Sequence, residues 1–205
     1  MLSPRPFRPR SVGYAHTVGR SSAVRLGFLV RIDEAVAADL EGVLCVEREA
    51  FGGDEEAELV RDLLNDPSSH PLLSLVARDG DRPVGHILFT AARLDGVSRD
   101  VSVAILAPLA VVPEEQRSGI GGSLIEEGIA RLGESGVELV FVLGHPEYYP
   151  RHGFEPAGRL GLAAPYPITP EDAWMVRALR PGVIGRVRGT IVCAQAMDRP
   201  EYWRE

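Results

Sequence analysis

The stretch Leu109-Ala110-Val111-Val112-Pro113-Glu114-Glu115-Gln116-Arg117-Ser118-Gly119-Ile120-Gly121-Gly122 constrains the fold more than any other part of the chain. It begins inside an apolar, β-rich run from Val101 to Val112, turns between Pro113 and Ser118, and opens a helix. Ile120, Leu124, Ile125, Ile129 and Leu132 share one face of that helix, which glycines 133 and 136 end. Val137 to Leu143 follows with Glu138 as its sole charge, the pattern of a strand buried on both faces. Strand, helix and strand in that order predict a parallel crossover and hence an α/β architecture. Glycines in such a turn let main chain come close to a ligand, and free N–H groups at a helix start favour an anion. The turn is therefore a candidate phosphate cradle.

Elements on either side fit this frame. Leu26 to Ile32 reads as a strand ending at Asp33, a helix N-cap, after which Val36, Leu40, Val43, Leu44 and Val46 recur at helical spacing. Phe51-Gly52-Gly53 breaks that helix, and Asp54 opens a second whose first turn is acidic and whose Leu59, Val60, Leu63 and Leu64 form an apolar stripe. Leu72 to Arg78 and Pro83 to Ala92 make a hairpin around Asp79-Gly80-Asp81. Beyond Leu143 come a helical turn near Glu147 to His152 and two strands, Trp174 to Leu179 and Val187 to Cys193.

Composition removes several function classes. The chain has 205 residues, enough for one domain with a tail, and all of its basic residues are arginine. Without lysine, a Walker phosphate loop and a lysine Schiff base are both excluded. Five histidines (His16, His70, His86, His145, His152) show no ligand spacing, so no metal is expected. Two cysteines, Cys45 and Cys193, sit far apart in apolar surroundings, which suits a reducing, cytoplasmic location. No apolar run approaches the ~20 residues of a membrane helix, so no membrane partner is expected. Residues 1–25 hold five arginines and no acid and read as a disordered extension. Without those five, the 22 basic residues fall to 17 against 29 acidic ones, a formal charge of −12. Such a body disfavours nucleic acid and favours a cationic partner.

Two rival readings of the glycine-rich turn fail on spacing. A dinucleotide site needs G-x-G-x-x-G directly after the strand, but Leu124 holds the third position and a six-residue turn intervenes. A serine elbow fails because Gly121-Gly122-Ser123 runs into Leu124 and Ile125. A turn that merely starts a helix is the plain alternative. With Leu109, Ala110, Val111, Pro113, Gln116, Gly119 and Gly121 in place, the chain resembles the GNAT superfamily, whose signature is [QR]-x-x-G-x-[GA] after an L-A-V-x-P strand. Downstream, Tyr149 to Phe154 is similar to the family's closing Y-x-x-x-G-F. The longer Gly144-His145-Pro146-Glu147-Tyr148-Tyr149 wording resembles a bacterial subgroup of N-acetyltransferases. The likeness spans Leu26 to Arg188 and is sharp from Leu109 to Phe154; a domain over 26–197 and a tail over 198–205 are expected.

The resemblance implies a mixed, twisted α/β sheet of about six or seven strands, splayed at the cofactor site, with helices on both faces. It implies acetyl-CoA as cofactor, its pantetheine arm between the strands ending near Val111 and Leu143. The cofactor-binding set would be Leu109, Ala110, Val111, Gln116, Arg117, Ser118, Gly119, Ile120, Gly121 and Gly122. It further implies acetyl transfer to a primary amine of a small molecule or peptide, by direct attack in a ternary complex. Val111 would give a backbone N–H to the oxyanion and Tyr149 would be the general acid, with Tyr148 an aromatic that packs the helix. Glu47, Glu49 and His145 stay open as bases, as does a water chain. A non-catalytic acyl-CoA sensor or assembly domain is the alternative, a longer acyl donor a third reading, and a homodimer is left open.

Overall fold

Alternating apolar residues lay most of the sheet down as an antiparallel meander, and the buried run after the glycine-rich turn joins it in a parallel pair. The computed structural model describes residues 22–25 and 28–203. In chain order the elements begin with β1 (Ser22–Arg25), β2 (Phe28–Glu34), α1 (Leu40–Phe51) and α2 (Glu55–Asn65). Then come β3 (Leu73–Asp79), β4 (Arg82–Asp95), β5 (Val103–Val111), α3 (Ile120–Ser135) and β6 (Leu139–Leu143). Short strands β7 (Glu155–Pro156) and β8 (Leu162–Ala163) precede β9 (Trp174–Ala178) and β10 (Gly189–Val192). The sheet order is β1-β2-β3-β4-β5-β6-β9-β7, with β10 also on β4 and β8 on β10. The count exceeds six or seven because β1 falls in the expected extension and β7 and β8 have two residues each, too few to show a period.

Two layers of side chains hold the helices to opposite faces. Val43, Leu44, Val60 and Leu63 of α1 and α2 pack with Val76, Leu88, Ile105 and Phe141. Ile120, Leu124, Ile125 and Ile129 of α3 pack with Leu75, Ile87, Phe89 and Val140 on the other face. Each such side chain contributes about 1.5–3 kcal/mol by leaving water.

Three boundaries differ from expectation. Asp33 caps no helix: the ladder runs through it, pairing it with Val76, and its carboxylate meets Arg31 at 2.5 Å. A 3-10 turn, Ala37–Asp39, precedes α1 instead. Ser22–Arg25 pairs with β2 although it falls in the expected extension; residues 1–21 lie outside the described residues. Residues 198–203, expected as a tail, are folded in. Tyr166 Oη donates to Asp198 Oδ1 (2.9 Å) and Trp203 Nε1 to Met197 O (2.9 Å), and the residues just before are tied back as well, Gln195 N–H to Ser68 Oγ (2.8 Å) and Ala196 N–H to Asp66 Oδ2 (2.9 Å). Trp203 is 2% exposed and lies edge-on to Trp174. Contacts across some 130 residues leave no periodic trace.

One irregularity opens the sheet. Ile87 pairs with Leu109 and Phe89 with Leu106, so Ala107 and Pro108 together face Leu88 alone. This bulge bends β5, and Pro108 has no N–H to give a ladder. Parallel pairing of β5 with β6 runs from Val103↔Leu139 to Leu106↔Val142 and stops. Past that point the two strands part.

Candidate active site

The turn after β5 is set by a few local contacts. Pro113–Glu115 forms a 3-10 turn, and Gln116 Nε2 reaches back to the Val111 carbonyl at 3.1 Å. Ser118 Oγ donates to Glu115 O, which tightens the loop. Arg117 (φ 62°) is the one positive-φ residue other than glycine among the described residues, a conformation that costs a side-chain-bearing residue energy. Gly119, at φ 94°, caps α3. Ser123 N–H bonds to Gly119 O at 3.0 Å, so the amides of Ile120 to Gly122 precede the helical ladder and are offered to a ligand.

Beside this turn the parted strands leave a cavity of about 1090 Å³. Val112 N–H donates to Val84 O on β4 at 3.0 Å, so strand alternation turns the N–H of Val111 the other way, into the gap. Of the expected cofactor set, Leu109, Val111, Gln116, Arg117, Gly119, Gly121 and Gly122 line the cavity. Ala110 and Ile120 instead put their side chains into the core, 1% and 2% exposed, and Ser118 braces the loop from behind.

Two tyrosines stand between β6 and the turn. Tyr149 begins the 3-10 turn Tyr149–His152, lines the cavity, and is held by edge contacts to Tyr148 and Phe154 at centroid distances of 5.2 and 5.7 Å. A Cβ on Gly144 would come within 2.4 Å of its ring, so that glycine is what lets Tyr149 lie against the end of β6. Tyr148 also lines the cavity, and its hydroxyl is 2.9 Å from where a Gly121 Cβ would sit. It therefore reaches the glycine-rich turn as well as packing. Burial pushes its phenol up, opposed by the Arg151 guanidinium 4.9 Å over its ring.

The three candidate bases are scattered. His145, just past β6, lines the cavity. Glu47 does not: it is fully buried under α1, Oε1 at 2.5 Å from His86 Nδ1, while His86 Nε2 meets Ser74 Oγ at 3.0 Å. Its Oε2 has no partner, and burial raises its carboxyl above the usual range against the pull of His86. Glu49 also lies outside, on the solvent side of α1, where Cys45 Sγ donates to it and Arg82 stands 3.8 Å away. Positions 47 and 49 are about 200° apart around a helix, so one faces the sheet and the other the solvent.

Sequence reasoning missed the opposite wall. Phe51, Glu55, Glu56 and Leu59 from the α1–α2 region join Met197, Glu201, Tyr202 and Trp203 from the C-terminal turns. The cavity thus passes through the sheet, with the turn on the α3 face and these residues on the α1–α2 face. Charge divides with it. Arg117 and Arg151 line the first side beside Glu115, whereas Glu55, Glu56 and Glu201 line the second with no basic side chain. No cluster able to hold a metal occurs among the described residues.

Comparison with known proteins bears on this geometry. Residues 31–157 match the family model of the acetyltransferase (GNAT) domain. The chain is 51% identical over 150 residues to the uncharacterised N-acetyltransferase YjhQ of Escherichia coli (strain K12), covering 72% of this chain and 81% of that one. It is 33% identical over 172 residues to the N-acetyltransferase YhbS of the same strain, covering 83% and 99%. The crystal structure of E. coli YhbS with CoA superposes with a TM-score of 0.78 at 30% identity, over 86% of this chain and 96% of that one. An acetyltransferase from Brucella melitensis with acetyl-CoA gives 0.67 at 27% identity, over 82% and 98%.

Proposed function

The chain belongs to the GNAT family of acetyl-CoA-dependent N-acetyltransferases, and from that premise we propose that it acetylates a positively charged small-molecule or peptide amine, with Tyr149 as general acid. The residues present fit the cofactor. The amides of Ile120 to Gly122, the left-handed Gly119 and the guanidinium of Arg117 suit a pyrophosphate, and the gap beside Val111 leaves main-chain groups for an extended arm. When bound, acetyl-CoA supplies an acetyl thioester.

Around the gap, the chain's own groups divide the remaining work. The Val111 N–H is turned to meet negative charge developing on a carbonyl oxygen. The Tyr149 hydroxyl, on a ring fixed by its neighbours, donates a proton to the departing sulfur. His145, the one of the three candidate bases that lines the cavity, accepts the proton that an ammonium acceptor must shed before it can attack. Glu55, Glu56 and Glu201 hold a cationic acceptor on the α1–α2 face, with the rings of Phe51 and Tyr202 beside them.

The observation that carries this reading is a single cavity joining the glycine-rich turn to a carboxylate wall through the gap that holds Tyr149. Thiol release from acetyl-CoA over a panel of mono-, di- and polyamines tests it. Turnover should rank with acceptor charge. Cofactor binding without turnover on any amine would favour the sensor reading instead.

A further inference from the structure

A second hollow, of about 570 Å³, opens between residues 96–99, the start of β6 and residues 180–188. It adjoins Glu138, whereas the cofactor cavity adjoins Leu143, so the two lie at opposite ends of β6, about 17 Å apart at ~3.3 Å per residue. Four arginines line it, Arg99, Arg180, Arg186 and Arg188, with Glu138 as the only carboxylate. In a chain where acidic residues outnumber basic ones 29 to 22, gathering like charges in one place costs energy unless an anion is taken up there.

Each arginine is placed by a specific contact. Arg99 grips Glu138 with two hydrogen bonds of 2.8 and 2.9 Å, which also uses up that carboxylate. Arg180 Nη2 donates to Gly133 O at 3.2 Å, near the end of α3. The guanidinium carbon of Arg186 lies 3.4 Å from where a Gly182 Cβ would stand, and the stem of Arg188 lies 3.0 Å from that position on Gly161. A side chain at Gly161 would press on the Arg188 stem, and Arg186 lies at ordinary contact distance over Gly182. Arg186 and Arg188 form no ion pair among the described residues, so their charges are available.

We propose that this hollow binds a compact anion carrying two or more phosphates, at a site separate from the acetyl-transfer cavity. Guanidinium forks pair bidentately with phosphate oxygens, and four of them exceed what a single carboxylate could satisfy. The volume suits a small molecule.

The test uses the full-length protein saturated with CoA, so that the phosphate turn is already taken, and titrates inorganic pyrophosphate by calorimetry. One site per chain is expected, weakening as salt is raised. The double variant Arg186→Ala/Arg188→Ala should bind pyrophosphate about tenfold or more weakly, with CoA affinity and melting temperature unchanged. No heat in the CoA-saturated protein, or equal affinity in the double variant, would overturn the proposal. So would binding of an RNA oligonucleotide without binding of pyrophosphate, which would make the patch a nucleic-acid surface.

Discussion

The two ends of the cofactor cavity are built from different materials. The end proposed for the phosphates is mostly main chain: a turn of contiguous residues that offers φ angles, glycines and unspent amides. The opposite end is side chain, drawn from residues 51–59 and 197–203, which nothing local relates. An anion can be held by N–H groups that every residue carries, so its site is written as backbone geometry at fixed spacing. A cation needs carboxylates and rings, which can be delivered from anywhere in the chain. One end should thus tolerate changed side chains and fail on changed backbone, and the other the reverse.

The largest effect is expected where the two ends meet. Tyr149→Phe removes one hydroxyl and keeps the ring that packs on Phe154. Turnover should fall by about 10²-fold or more, with the CoA dissociation constant nearly unchanged. Tyr148→Phe is the informative neighbour, because its hydroxyl reaches Gly121. It should weaken CoA slightly and spare turnover. Steady-state kinetics with matched CoA titrations separate the two, and near-parental turnover in both variants would assign the proton to water.

Next comes the backbone end itself. Gly119→Val forces a β-branched residue to φ 94°, although nothing stands within 4 Å of the added Cβ, so the cost is conformational rather than steric. A loss of about tenfold in CoA affinity is expected, since ~1.4 kcal/mol of strain falls on the bound turn. If the variant binds CoA like its parent, the cradle does not rest on this turn and the contrast between the ends fails. Smaller again is Glu201→Gln at the side-chain end. It should raise KM for a dicationic amine about threefold, the usual worth of one partly exposed charge, and leave CoA binding alone. Equal effects on mono- and dications would show that charge is not what this wall reads.

The same contrast explains what was legible beforehand. The parallel crossover, the turn and Tyr149's place beside it lie in one contiguous stretch where period and spacing survive. The splay of the sheet follows from an extra residue on β5, and Pro108 hints at it, because a proline inside a strand cannot complete a ladder. Glu55 and Glu56 look, in sequence, like acids suited to a helix start, and that local explanation hides their place in a wall. Glu201 to Trp203 are three residues of a short 3-10 turn held by packing on Trp174 and Met197, with no period to announce them.

Glu47 provides the last and smallest effect, because it tests whether a carboxylate near the acceptor end must reach the cavity to count. It is fully buried, bonded to His86, and has an unpartnered Oε2. Burial raises its pKa in the folded protein, so between the ordinary glutamate value and that raised value the folded chain holds a proton that the unfolded chain has released. The unfolded state then binds fewer protons, and stability declines as pH rises through that window. Below the ordinary glutamate range both states are protonated and the contribution is fully present. Glu47→Gln keeps the shape and removes the titration. Its melting temperature should therefore gain on the parent's as pH rises, by about 2–4 °C for each kcal/mol removed. Turnover and its pH profile should be unchanged, because the group does not line the cavity. A variant that loses turnover while keeping its melting temperature would place Glu47 in the proton path after all, working through His86, and would extend the acceptor end beneath α1.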